Sequence, residues 1–127
     1  MPGTFLVPET VIQEAGTSTE LDVSVSKGKL LQVTLGITRI IEQESLDVSV
    51  WGSADKSNWS ARPLVSFPQK FYCGTYCMLV DLSDHPEVKY IRVQWKTARW
   101  GRGEPKPLFG FYIFIEESEL KALTALV

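Results

Sequence analysis

An antiparallel β-sandwich of jelly-roll type, closed by a short C-terminal helix, is the fold this chain predicts. Two runs carry most of the argument. Leu46, Val48 and Val50 alternate with Asp47 and Ser49, and Ile91, Val93 and Trp95 alternate with Tyr90, Arg92 and Gln94. A period of two places one set of side chains on a buried face and the other in water. Turn formers (Gly, Pro, Asn, Asp) cut the chain into eight or so short strands, which at this length points to a sandwich of jelly-roll type. An immunoglobulin-like Greek key is the second choice. At 127 residues the expectation is one domain covering 1–127.

Taken in order, Leu21, Val23 and Val25 mark a strand that ends at the turn formers Lys27 and Gly28. Leu31, Val33, Leu35 and Ile37 mark the next, and the two are expected to pair as a hairpin. The adjacent Ile40 and Ile41 break the alternation and predict a corner or bulge. Leu46 to Val50 follows with its apolar side inward, which leaves Trp51 as a large aromatic on the polar side. Pro63 and Pro68 confine any strand near Leu64 to Phe67 to a short edge piece. Tyr76 to Leu82 turns Met78, Val80 and Leu82 inward, and Val88 to Lys96 turns in Ile91, Val93 and Trp95.

Leu108 to Ile115 differs from the others. Phe109, Phe111, Ile113 and Ile115 fill one face, while Leu108, Tyr112 and Phe114 fill the other. A strand apolar on both sides is covered on both, by its own sandwich or by a neighbouring subunit. The tail from Glu117 to Val127 is expected to form the helix, with Ser118 as its cap and Leu120, Leu123 and Val127 along one side.

Composition narrows the function. Thirteen Lys and Arg against 15 Asp and Glu give a net charge of −2, so no overall field draws the protein to nucleic acid or to an anionic membrane. A hydrophobic share of 44% is that of a folded protein. No run reaches the roughly 18 apolar residues of a membrane span, and the first residues lack the basic-then-apolar pattern of a signal peptide. The expected setting is therefore cytoplasmic or particle-associated.

Chemistry-bearing groups are sparse. Cys73 and Cys77 would stand about 13 Å apart on an extended strand, beyond the roughly 7 Å that a disulfide spans. Plain buried or half-buried thiols are expected, with a disulfide across a turn at Gly74 and an intersubunit metal site left open. His85 is the one histidine, too few for a zinc set, and Asp81, Asp84 and His85 match no calcium or acid–base spacing. Glu42 with Glu44, and Glu116 with Glu117, are the paired carboxylates; the second pair points to opposite faces of a strand. No phosphate loop, metalloprotease helix or nucleophile elbow is present, so neither a catalytic residue, a cofactor nor a bound metal is expected.

The connection KTARWGRGEPKP sets Arg99, Trp100 and Arg102 together on a Gly- and Pro-rich loop, a combination that stacks a sugar ring or clamps an anion. Asp55, Asn58 and Trp59 form a second polar-aromatic group, although Asx residues there more commonly close their own turn. Single-stranded nucleic acid at the RWGRG run is disfavoured by the acidic balance.

Ser53, Asp55, Ser57, Asn58 and Trp59, with the later run Tyr90, Ile91, Arg92 and Val93, resemble the discoidin-like, galactose-binding-like β-sandwich family, over the middle half of the chain. There a strand enters a serine–aspartate–turn–tryptophan corner and a later strand reads tyrosine, isoleucine, arginine, valine. The resemblance implies a sandwich whose end loops hold a sugar or lipid headgroup while the corner tryptophan packs. The first third departs from it, lacking a long ligand loop and the terminal cysteines. Similar small sandwiches also serve as accessory proteins on phage and other particles, and fold likeness does not choose between these uses.

The resulting expectation is a non-catalytic interaction or structural module whose partner is itself or a larger protein assembly, with Trp51, Leu108, Tyr112, Phe114, Leu120 and Leu123 at the interface. The alternative is a carbohydrate-binding module using Trp59, Arg99, Trp100, Arg102, Asp55 and Asn58 on a glycan.

Overall fold

The computed structural model describes residues 3–24, 30–40, 44–99 and 108–118. Within them lie β1 (Thr4–Ile12), β2 (Gly16–Thr17), β3 (Leu21–Asp22), β4 (Leu30–Ile40), β5 (Glu44–Ser53), β6 (Val65–Ser66), β7 (Gly74–Asp81), β8 (Tyr90–Arg99) and β9 (Phe109–Glu117), with a 3-10 turn at Leu82–Asp84. One sheet has the order β1-β9-β4-β7; the other has β2-β8-β5-β6, with β3 also on β8. Every pairing is antiparallel. With β2 and β3 counted as one interrupted strand, the chain changes sheet at each step except β5 to β6. That is jelly-roll topology.

The two sheets close on each other through the alternation read from the sequence. Leu31, Val33, Leu35 and Ile37 of β4 and Phe109, Phe111, Ile113 and Ile115 of β9 face Leu46, Val48 and Val50 of β5 and Ile91 and Val93 of β8 in one buried cluster. Each such side chain contributes about 1.5–3 kcal/mol by leaving water. Trp95 of β8 meets Phe111 of β9 edge to face, with centroids 5.3 Å apart, so this aromatic pair ties one sheet to the other.

The structure corrects several expectations. The strand around Leu21 does not form a hairpin with β4: Leu21 pairs with Ile91 and Asp22 with Tyr90, in the opposite sheet. In a jelly roll consecutive strands alternate between the sheets, and the turn formers Lys27 and Gly28 lie outside the described residues. A register shift lies between Ile37 and Arg39, and Ile40 still pairs with Phe109; Ile41, where the corner was expected, lies outside the described residues. Glu117 closes β9 and the Ser118 N–H donates to the Leu30 carbonyl at 2.9 Å, so the first two positions assigned to the helix extend the sheet. The rest of that segment, including Leu120, Leu123 and Val127, lies outside the described residues. Cys73 and Cys77 are free and exposed thiols.

Two strands have no counterpart in the sequence reading. In β1, register shifts between Phe5 and Val7 and between Val7 and Thr10 turn both Leu6 and Val7 inward and destroy the period of two. β2 spans only Gly16–Thr17, too short for any period to show.

Candidate functional site

The two outer faces of the sandwich differ in kind. On the β5–β8 sheet, cross-strand neighbours are Asp47 with Lys96, Ser49 with Gln94 and Trp51 with Arg92, a mixed charged surface suited to water. On the β4–β9 sheet, one row runs from Phe5 through Phe114 and Thr34 to Cys77, and the next from Tyr112 through Gly36 to Thr75. Neither row contains a formal charge.

Phe5 makes that face an aromatic one. The bulge after Phe5 leaves its ring outside, 55% exposed, with centroids 4.9 Å from Phe114 and 5.8 Å from Tyr112, edge to face in both cases. Together with Pro8, Glu9 and Thr34 these rings line a groove of about 530 Å³. Scattered exposed apolar side chains are ordinary, whereas contiguous ones mark a place where something binds. Phe5 was not among the residues singled out by sequence. The available signal was the apolar run Phe5-Leu6-Val7, which the following Pro8 obscured.

The residues expected at an interface therefore divide. Tyr112 and Phe114 are half-buried on the groove. Leu108 sits at the end of the sandwich, where its N–H donates to the buried Glu44 Oε1 at 2.8 Å. Trp51 lies on the other sheet's outer face, half-buried, its Nε1–H donating to Ser49 Oγ at 2.9 Å.

The residues expected on a glycan do not converge either. Ser53, at one end of β5, pairs with Tyr90 and bridges to Trp59, while Glu44 at the other end pairs with Arg99. Tyr90 and Arg99 are the two ends of the ten-residue β8, about 30 Å apart at 3.3 Å per residue step. Trp100 and Arg102 lie outside the described residues.

At the Trp59 end, Asn58, Trp59, Arg62, Leu64, His85 and Glu87 are among the residues around a groove of about 450 Å³. Much of its polar chemistry is committed internally. Asp55 Oδ1 accepts the Ser57 and Asn58 N–H groups, each at 2.8 Å, and Oδ2 accepts the Asn58 side-chain amide at 3.1 Å. These bonds, the Asn58 and Ser57 backbone N–H first among them, hold the Asp55 carboxyl down at about 2. The turn they close carries Lys56 at φ 68°. One face of Trp59 is covered by the Arg92 guanidinium, 4.1 Å from the ring centroid, which takes that face away from a sugar.

Asp81 caps the 3-10 turn by accepting the Ser83 N–H at 2.9 Å. His85 and Glu87 approach at 4.0 Å on the surface. Among the described residues, no three His, Cys, Asp or Glu side chains are grouped to hold a metal ion, and no helix is long and apolar enough to cross a membrane.

No protein family and no curated protein matches this sequence. Solved structures do resemble its fold. One is a chain of infectious bursal disease virus, Gt strain, with a TM-score of 0.55 and 9% identity, over 92% of this chain and 32% of that one. The present chain thus spans about a third of that viral chain, and the likeness establishes the β-sandwich alone. Looser matches are the SPBc2 prophage-derived protein YomS (TM-score 0.47, 9% identity, 90% of this chain and 91% of that one) and the K1 cleaved adhesin domain of Lys-gingipain from Porphyromonas gingivalis W83 (0.47, 15%, 89% and 66%). Both fall below the similarity that supports an argument. The discoidin-like assignment finds no confirmation among these structures.

Proposed function

We propose that this protein is a non-catalytic interaction or structural module that packs into a protein assembly through the outer face of the β4–β9 sheet, with other copies of itself as the first partner. The observation that carries the reading is the aromatic group of exposed Phe5 with half-buried Tyr112 and Phe114, on a face with two uncharged rows. Interfaces are distinguished by aromatic residues at the centre and by loss of charge there. The opposite face, with Asp47, Lys96 and Arg92, has the reverse character.

Size-exclusion chromatography with light scattering tests this. The wild type is expected to associate as concentration rises, and Phe5→Ser with Tyr112→Ser to weaken association at least tenfold. A wild type that stays monomeric at millimolar concentration, in the absence of any added partner, would contradict self-assembly.

A second reading is favoured by the groove at Trp59. Trp59, Asn58 and Arg62 line one concavity, a combination of residue types that suits the hydroxyls and apolar side of a sugar. Tryptophan fluorescence titrated with monosaccharides, lost in Trp59→Ala, would support it.

A further inference from the structure

A jelly roll leaves the outermost strands of each sheet with unpaired backbone groups, and folded proteins normally disable such edges with prolines, bulges, charges or short strands. Three of the edges here are disabled. β1 has two register shifts and Pro8. β6 is two residues long, between Pro63 and Pro68. β2 and β3, on the free side of β8, are two residues each.

β7 is the exception. From Leu30–Asp81 to Ile37–Gly74 it pairs with β4 without a register shift. Gly74 to Val80 includes no proline and no charged residue. Of the large hydrophobic side chains most exposed among the described residues, Leu79 lies on this strand, and Phe71 and Tyr72, the latter 76% exposed, lie just before it.

We infer that β7 is the strand through which two copies of this chain pair, antiparallel about a two-fold axis, joining their β1-β9-β4-β7 sheets into one. The inference rests on the assembly reading above and names a different surface for it. A second copy fits this edge for two reasons. A strand without charge from Gly74 to Val80 meets itself centrally without like-charge repulsion, which costs stability when equal charges stand opposite. The pairing also continues the two uncharged rows of the outer face through Cys77 and Thr75 into the partner, so the two surfaces form one. A two-fold axis normal to the sheet keeps outer residues opposite outer residues, and with the two strands Gly74–Asp81 centred on each other it passes through Cys77 or Met78. In either register Cys77 and Leu79 stand opposite, or diagonal to, the same pair in the second copy.

The test is charge substitution on that row. Cys77→Lys with Leu79→Lys, and Cys77→Glu with Leu79→Glu, are made in the full chain, with thermal midpoints confirming that each folds. Light scattering is expected to show a wild-type dimer, a monomer for each variant alone, and recovery of the dimer when the two variants are mixed in equal amounts. A wild-type dimer unchanged by either variant overturns the inference. So does a dimer lost in both variants and not restored on mixing, because that result fits a strand from another protein or a distorted edge. Association that responds to Phe5→Ser and Tyr112→Ser but not to the β7 charges leaves the aromatic-face reading standing and removes this one.

Discussion

Gly36 lies directly beneath the ring of Tyr112, its cross-strand partner: a Cβ at position 36 would come within 2.2 Å of the ring carbons. The missing side chain lets the tyrosine lie flat across the sheet, where its edge meets Phe5 at 5.8 Å. An aromatic laid over a strand glycine restores cover that the glycine lacks. The groove floor therefore depends on a residue with no side chain.

Gly36→Ala is expected to lift the ring and cost about 1–3 kcal/mol, the usual range for forcing extra volume into a packed contact. Alanine has the better strand propensity, so a rise in the urea midpoint would show that the Tyr112 contact does not matter.

Glu44 gives the next prediction. It is 1% exposed and accepts the Leu108 N–H at 2.8 Å, which fixes the start of β9 to the start of β5. Glu44→Ala leaves that donor without this acceptor, at about 1–3 kcal/mol. Glu44→Gln keeps a carbonyl oxygen and should lose less. Amide exchange at Leu108 reads the bond directly, and unchanged exchange in the alanine variant would refute its role.

Phe111 tests the tie between the sheets. It is fully buried and stacks edge-on against Trp95. Phe111→Ala should cost about 3–5 kcal/mol and diminish the near-ultraviolet circular dichroism of Trp95. A loss below 1 kcal/mol would mean that the sheets close without this pair.

Acid should loosen the Ser53–Asn58 turn in a defined window. The Asp55 carboxyl is lowered to about 2 from the ordinary 3.8, by the Asn58 and Ser57 backbone N–H bonds first. A carboxyl with a depressed folded value adds stability that is complete above its unfolded value and fades as pH falls toward its folded one. Wild type should thus exceed Asp55→Asn in stability by a constant margin above about pH 4, and that margin should shrink between about pH 4 and 2. A margin independent of pH down to 2 would exclude the ionised turn.

The sequence disclosed the sandwich because β4, β5, β8 and β9 each bury one full face, and that burial enforces a period of two. The same logic exposed Tyr112 and Phe114, since both faces of β9 are apolar. Phe5 escaped notice because bulges put Leu6 and Val7 on the same side, so β1 has no period to read. Trp51 looked equivalent to Tyr112 in pattern, but which sheet a strand joins is a long-range fact that alternation does not encode. For the same reason Trp59 and Arg99 looked compatible with one site, although β8 holds their neighbourhoods at opposite ends.

Hydroxyl-radical footprinting across a protein concentration series tests most directly whether the aromatic face is where copies meet, because it reads side-chain exposure residue by residue. The account predicts that Phe5, Tyr112 and Phe114 become protected as concentration rises while Trp51 on the opposite sheet keeps its reactivity. Constant reactivity at the three rings, or protection centred on Trp51, would contradict it.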